Sequence, residues 1–188
     1  MCQSEGGILD RGPARGLGEG NKRQVPREHG VDFSLEEGMK GSVEGTNKIL
    51  DILLANDVHA TFFCTGNFAE HAPEVMQRIK NEGHEIGCHG VDHWKPQPED
   101  VFKSKEIVER VADVKVTGYR QPRMFPVSDE DIEKAGYLYN SSLNPAFIPG
   151  RYMHLTTPRT WFMRNEVMEI PASVSPHLRI PLFWLALH

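Results

Sequence analysis

Two histidines four positions apart, in His89-Gly90-Val91-Asp92-His93-Trp94, have the spacing best suited in this sequence to hold one cation. If the segment coils through a helical turn, both imidazoles face one point, and neutral imidazole nitrogen is a good zinc ligand. The competing reading is a turn in which one ring caps the backbone and the other lies in water. Gly87 and Gly90 flank the strand end and would let the backbone approach a bound group closely. An acidic cluster, Val31-Asp32-Phe33-Ser34-Leu35-Glu36-Glu37-Gly38, stands earlier in the chain. One of its carboxylates could complete a two-histidine, one-carboxylate centre with positions left for water, or act as a general base beside the ion. The same acids would equally suit a solvated helix start, where the dipole favours negative charge.

A third segment, Gly118-Tyr119-Arg120-Gln121-Pro122-Arg123, is basic and stiffened by proline. Arg120 there could hold a carboxylate through a bidentate pair. The alternative is a surface loop with two solvated guanidiniums. Cys64 and Cys88 are read as buried free thiols, with zinc ligation alongside His89 as the alternative. Tyr119, Tyr137, Tyr139, Phe125 and Trp161 could stack on a sugar ring, although core packing is the commoner use of such residues. The sequence has neither a Gly-rich phosphate loop nor a serine nucleophile elbow.

The elements that must position these residues follow from hydrophobic period. Apolar residues at Ile49, Leu50, Leu53 and Leu54 mark one face of a helix over 47–56. Val58 to Cys64 reads as a buried strand, and Pro73 opens a helix closed by Gly83. A strand over 85–89, a charged helix over 98–113, a strand over 114–119 and a helix over 128–135 come next. Further strands are expected at 137–139 and 167–171. Strands alternating with helices at this interval predict a parallel α/β sheet, open or closed into a barrel, with the candidate residues at strand ends where ligand sites gather.

The chain has 188 residues, enough for one domain with its own core. Residues 1–30 are rich in Gly, Arg and Glu and are expected to form a disordered leader, leaving 31–188 as the folded domain. Twenty-one Lys and Arg against twenty-six Asp and Glu leave a net charge of −5, which gives no general attraction to nucleic acid. No apolar run approaches the roughly 18 residues of a membrane span. Three widely spaced cysteines make no disulfide framework, and without a continuous apolar leader the expected location is cytoplasmic.

The run Ala60-Thr61-Phe62-Phe63-Cys64-Thr65-Gly66-Asn67-Phe68-Ala69-Glu70, then Pro73-Glu74, then Glu82-Gly83-His84-Glu85-Ile86-Gly87-Cys88-His89-Gly90-Val91-Asp92-His93, closely resembles the central block of the polysaccharide deacetylases, the NodB-homology carbohydrate esterases. Gly118 to Pro122 is similar to that family's third motif. Tyr139-Asn140-Ser141-Ser142 matches a segment usually written with Asp at the Asn140 place, and Glu169 to Ser173 resembles the strand that follows. The resemblance runs from about 31 to 187.

It implies a deformed (β/α) barrel and metal-dependent removal of N-acetyl groups from amino-sugar residues of a polysaccharide. By the same resemblance His89 and His93 hold a divalent metal, zinc by preference, Asp32 is the catalytic base and Arg120 fixes that carboxylate. Two departures stand out. The places of the family's second acid carry Phe33 and Ser34, so the third ligand could be Ser34, Glu36, Glu37 or Asp32 itself. The family's late histidine has no match before His188, and the barrel is expected to be incomplete. Two other readings follow: a catalytically impaired glycan-binding relative, and a structural zinc module built on Cys64, Cys88 and His89.

Overall fold

A computed structural model describes residues 2–5, 35–149 and 152–181. Asp32 and Ser34 lie outside the described residues, as does His188. Seven strands form one sheet in the order β1 (Cys2–Glu5), β2 (Thr61–Cys64), β3 (Glu85–Cys88), β4 (Gly118–Tyr119), β5 (Tyr139–Asn140), β9 (Val167–Glu169), β8 (Phe162–Arg164). Strands β2 to β5 and β9 run parallel, while β1 and β8 join antiparallel at the two edges. A separate hairpin pairs β6 (Phe147–Ile148) with β7 (Tyr152–Met153). The parallel centre is the α/β architecture expected from the alternating pattern. Within 1–30, expected to form a disordered leader, Cys2–Glu5 is a strand that pairs with β2 in a register that sets Ser4 opposite Phe62; residues 6–30 lie outside the described residues.

Helices α1 (Leu35–Ala55), α2 (Gly66–His71), α3 (Pro73–Asn81), α4 (Asp100–Ala112) and α5 (Asp129–Lys134) lie between the strands. The helix expected over 47–56 starts at Leu35. Ile49, Leu50 and Leu53 are buried, but Leu54 stands outside the stripe and is exposed. Helix α2 was not anticipated. It is short and opens on Thr65, whose hydroxyl accepts from the Phe68 N–H at 3.1 Å. Pro73 begins α3, Ser128 caps α5 by accepting from Asp131 N–H, and Asp113 ends α4 in the left-handed region.

Strand β2 shows how the period-two pattern splits the interior. Phe62 joins Met76, Ile79, Leu50 and Val108 in the core beneath the helices. Phe63 points to the other face, edge-on to Tyr139 and beneath the Arg120 guanidinium. On that second face the space is made by glycine. A Cβ on Gly118 would lie 2.0 Å from Tyr139 Cζ, and one on Gly87 would lie 2.7 Å from Phe63. Tyr119 and Tyr137 belong to the core, whereas Phe125 and Trp161 are exposed.

The cysteines differ from expectation. Cys64 is disulfide-bonded, and among the described residues Cys88 is a free thiol. Burial pushes the Cys88 thiol up to about 12, so it stays protonated in the core. The structural zinc module on Cys64, Cys88 and His89 is therefore contradicted.

His84, at the turn into β3, has a side chain only 2% exposed. Its Nδ1 accepts from Ala60 N–H at 3.4 Å, and its Nε2 lies 3.8 Å from Glu82. The His59 ring packs edge-on against it. Burial holds the imidazole below its ordinary value of 6.5; Glu82 opposes the shift, while His59 and Arg78 add to it. As pH falls below 6.5 the unfolded chain takes up a proton that the folded chain refuses, so stability is full above that pH and declines toward the folded pKa. Thermal unfolding should therefore show a lower midpoint at pH 5 than at pH 7.5. His84→Asn, which keeps an acceptor for Ala60 N–H, should narrow that difference.

Candidate metal centre and its supporting strands

The C-terminal ends of β2, β3, β4 and β5 meet at one place, and the loop after β3 begins there. His89 N–H donates to the Cys64 carbonyl at 2.9 Å, and Gly66 N–H donates to the Gly90 carbonyl at 2.9 Å, which ties this loop to the end of β2. The histidines do not lie on a helical turn, as the spacing suggested. The chain bends instead, with Gly90 at φ +67. A Cβ on Gly90 would also meet Pro122 Cγ at 2.9 Å, so both backbone conformation and space require glycine here.

The bend brings the rings together. His89 Nε2 and His93 Nδ1 are 3.1 Å apart, with ring centroids 5.1 Å apart. His89 Nδ1 donates to the Arg120 carbonyl at 2.7 Å, so the lone pair of its neutral ring is on Nε2, facing His93. Two nitrogens bound to one tetrahedral zinc at about 2.0–2.1 Å would be roughly 3.3 Å apart, close to the observed spacing. Burial drives His89 well below 6.5, and burial holds His93 down to about 4. Both rings are neutral at pH 7, the form that ligates metal. The nearby Arg123 charge adds to the shift at His93, and Asp92 opposes it. The donor set thus fits a divalent ion at two positions. Among the described residues, no three His, Cys, Asp or Glu side chains converge as a metal centre.

Arg120 is buried beneath the site, with its charge over the Phe63 ring at 5.0 Å. Its Nε donates to the Ser141 carbonyl at 3.0 Å and an Nη to Ser141 Oγ at 2.9 Å. Burial lowers its pKa to about 10, which leaves it charged at neutral pH. The predicted pairing of Arg120 with Asp32 involves a residue outside the described set. Glu37 is on the exposed surface of α1, and the Glu36 side chain is outside the described set.

Sequence reasoning missed what β5 does. Ser141 holds the Arg120 side chain, and Ser142 Oγ accepts from Gln121 N–H at 2.8 Å. Ser142 Oγ also donates to Asn140 Oδ1, and the Asn140 amide donates to both oxygens of buried Glu169, at 3.1 and 3.3 Å. The signal was present as three small polar residues in a row after a strand, a poor composition for a core unless each has a partner.

These features belong to a known class. The chain is a member of the polysaccharide deacetylase family, whose model matches residues 30–135. It is 42% identical over 77 residues to a peptidoglycan-N-acetylglucosamine deacetylase of Bacillus cereus, covering 37% of this chain and 28% of that protein. It is 31% identical over 147 residues to a peptidoglycan deacetylase of Helicobacter pylori, covering 64% and 50%. The chain thus spans half or less of these curated relatives. The crystal structure of a putative polysaccharide deacetylase from Mycobacterium smegmatis shares the fold at a TM-score of 0.57 and 22% identity, covering 88% of this chain and 56% of that one. The expected fold class, part of a deformed (β/α) barrel, agrees with that neighbour.

Gly90→Ala should destabilise the protein by about 1–3 kcal/mol, since it adds both left-handed strain and a clash with Pro122. A chemical denaturation midpoint measures it. Asn140→Asp places a second carboxylate against Glu169, whose own carboxyl burial already pushes up. The variant should lose on the order of 2–4 kcal/mol at pH 7 and recover part of it at pH 5, where one proton bridges the pair.

Proposed function

We propose that this domain removes N-acetyl groups from amino-sugar residues of a polysaccharide with the aid of a divalent metal, by preference zinc. The observation that carries the reading is the approach of His89 Nε2 to His93 Nδ1, with the far nitrogen of His89 fixed by a carbonyl. His89 and His93 would hold the ion, with Asp32 as general base. A bound zinc would supply Lewis acidity toward the amide carbonyl and its attacking water.

The chain's own residues contribute in other ways. The Arg120 carbonyl selects the tautomer of His89 and holds its ring plane, a partner whose loss typically costs metal affinity severalfold or more. Buried in low dielectric and clamped by Ser141, the Arg120 guanidinium is a fixed cation that can orient the Asp32 carboxylate. Burial keeps both imidazoles neutral at pH 7, the charge state that ligates metal. Relatives named as peptidoglycan deacetylases support a bacterial cell-wall glycan as the substrate class.

Purified protein supplied with zinc should release acetate from N-acetylglucosamine oligomers. His89→Ala should lower zinc affinity on the order of 100-fold by calorimetry and abolish acetate release. Unchanged zinc affinity in that variant would remove the site assignment. Tight zinc binding without acetate release would favour instead the glycan-binding relative that has lost turnover.

A further inference from the structure

Two segments, 143–160 and 172–181, leave the C-terminal ends of β5 and β9, at the end of the sheet where His89 and His93 stand. The proposed reaction uses neither. They are bonded into one cap. Ala172 N–H donates to the Leu143 carbonyl at 2.9 Å, and Phe147 N–H donates to the Arg179 carbonyl at 3.0 Å. One Nη of Arg179 donates to the carbonyls of Pro145, His154 and Thr157, at 3.4, 3.0 and 2.9 Å. Arg159 donates from its own guanidinium to the Pro176 carbonyl.

The outer surface of this cap is apolar. Met153, Leu155, Trp161 and Leu178 are each more than half exposed. The same bonds bring them into one neighbourhood. His154, between Met153 and Leu155, is tied to Arg179, and Arg159, two residues before Trp161, is tied to Pro176, two before Leu178. Exposed apolar side chains gathered in this way mark a surface that meets a protein or a membrane.

Charge decides between the two. Of the chain's twenty-six Asp and Glu only Glu166 and Glu169 follow Asn140, against four of its twenty-one Lys and Arg. Glu169 is buried, and Glu166 lies in the turn between β8 and β9, at the opposite end of the strands. The two cap segments therefore carry arginine and no acid, on a chain whose net charge is −5. Carbonyl oxygens hold the guanidiniums of Arg159 and Arg179 in place without neutralising them. Arginine and apolar side chains around an exposed tryptophan are the composition that settles at the interface of an anionic bilayer.

We propose that this cap docks the domain on an anionic lipid bilayer. Trp161, Met153, Leu155 and Leu178 enter the boundary between headgroups and acyl chains, and Arg159 and Arg179 lie against lipid phosphates. The attachment is peripheral, and it turns the end of the sheet that carries His89 and His93 toward the membrane surface. It goes beyond the deacetylase reading and stands without it, since it needs neither metal nor turnover.

Flotation of the full chain with lipid vesicles tests this docking. Vesicles of phosphatidylcholine with about one-third phosphatidylglycerol should bind about tenfold tighter than phosphatidylcholine alone, with the gap narrowing as salt is raised. The double variant Leu155→Ser, Trp161→Ser should weaken binding to the mixed vesicles by about tenfold or more. Leu178→Ser, on the other segment, should act in the same direction by itself. Arg159→Gln should weaken binding about fivefold, and Arg159→Lys, which keeps the charge, should restore most of that loss. Thermal midpoints equal to the parent's show that the cap stays folded in these surface variants. Equal binding to both kinds of vesicle, no binding to the mixed ones, or unchanged binding in the double variant would each overturn the proposal. Soluble polyphosphate binding parent and double variant alike, and as tightly as the mixed vesicles bind the parent, would identify a general polyanion site and overturn it too.

Discussion

The hydrogen bond from His89 Nδ1 to the Arg120 carbonyl joins the end of one parallel strand to the end of the next, and the site is arranged around it. It fixes which ring nitrogen carries the proton, so it fixes where the lone pair points. It also links the position of His89 to the backbone of Arg120, whose N–H is bound to the Cys88 carbonyl one residue before His89. The two strands therefore hold each other's functional residue in place. Carbonyl and imidazole are both buried, where an unmade bond of this kind would be costly. The position of His89 is accordingly set by the sheet, and the bend at Gly90 brings His93 to it.

A second requirement follows from the first. Placing Arg120 under the site carries a full charge into the interior, which is tolerable only if its donors are taken up. Strand β5 supplies that service through Ser141, while Ser142 secures the neighbouring Gln121. The chain of contacts continues through Asn140 to Glu169 on β9. Polar groups at successive strand ends thus form one connected line across the sheet. A metal ion would sit at one end of that line and a buried carboxylate at the other.

Much of this was legible in the chain itself. His89 and His93 stood out by spacing, and the structure brings their rings together, though through a glycine bend and not a helical turn. The parallel strands at Phe62–Cys64, Ile86–Cys88 and Tyr119 could be read because they are short, apolar and followed by glycine or charge. The beginning of α1 was hidden, because Gly38, Gly41 and Gly45 lower helix propensity in a stretch that tertiary packing nevertheless holds helical. Helix α2 was too short to show a period. The role of Ser141 was hidden for a different reason: a side-chain clamp between strands 21 residues apart leaves no local pattern. The bonded state of Cys64 was equally unreadable, since pairing depends on which strand lies alongside. Asp32 lies outside the described residues.

The glycine at the head of β4 has an effect that reaches beyond packing. Gly118 and Tyr139 face each other as paired residues of neighbouring strands, and the phenol ring covers the spot where a side chain would otherwise stand. A slip of one residue would set the ring against Thr117 or Tyr119 and turn every following side chain to the opposite face. The pair works as a vernier mark for assembly, admitting one alignment of the two strands. Arg120 and Ser141 come into step two positions later only because that alignment has already been chosen.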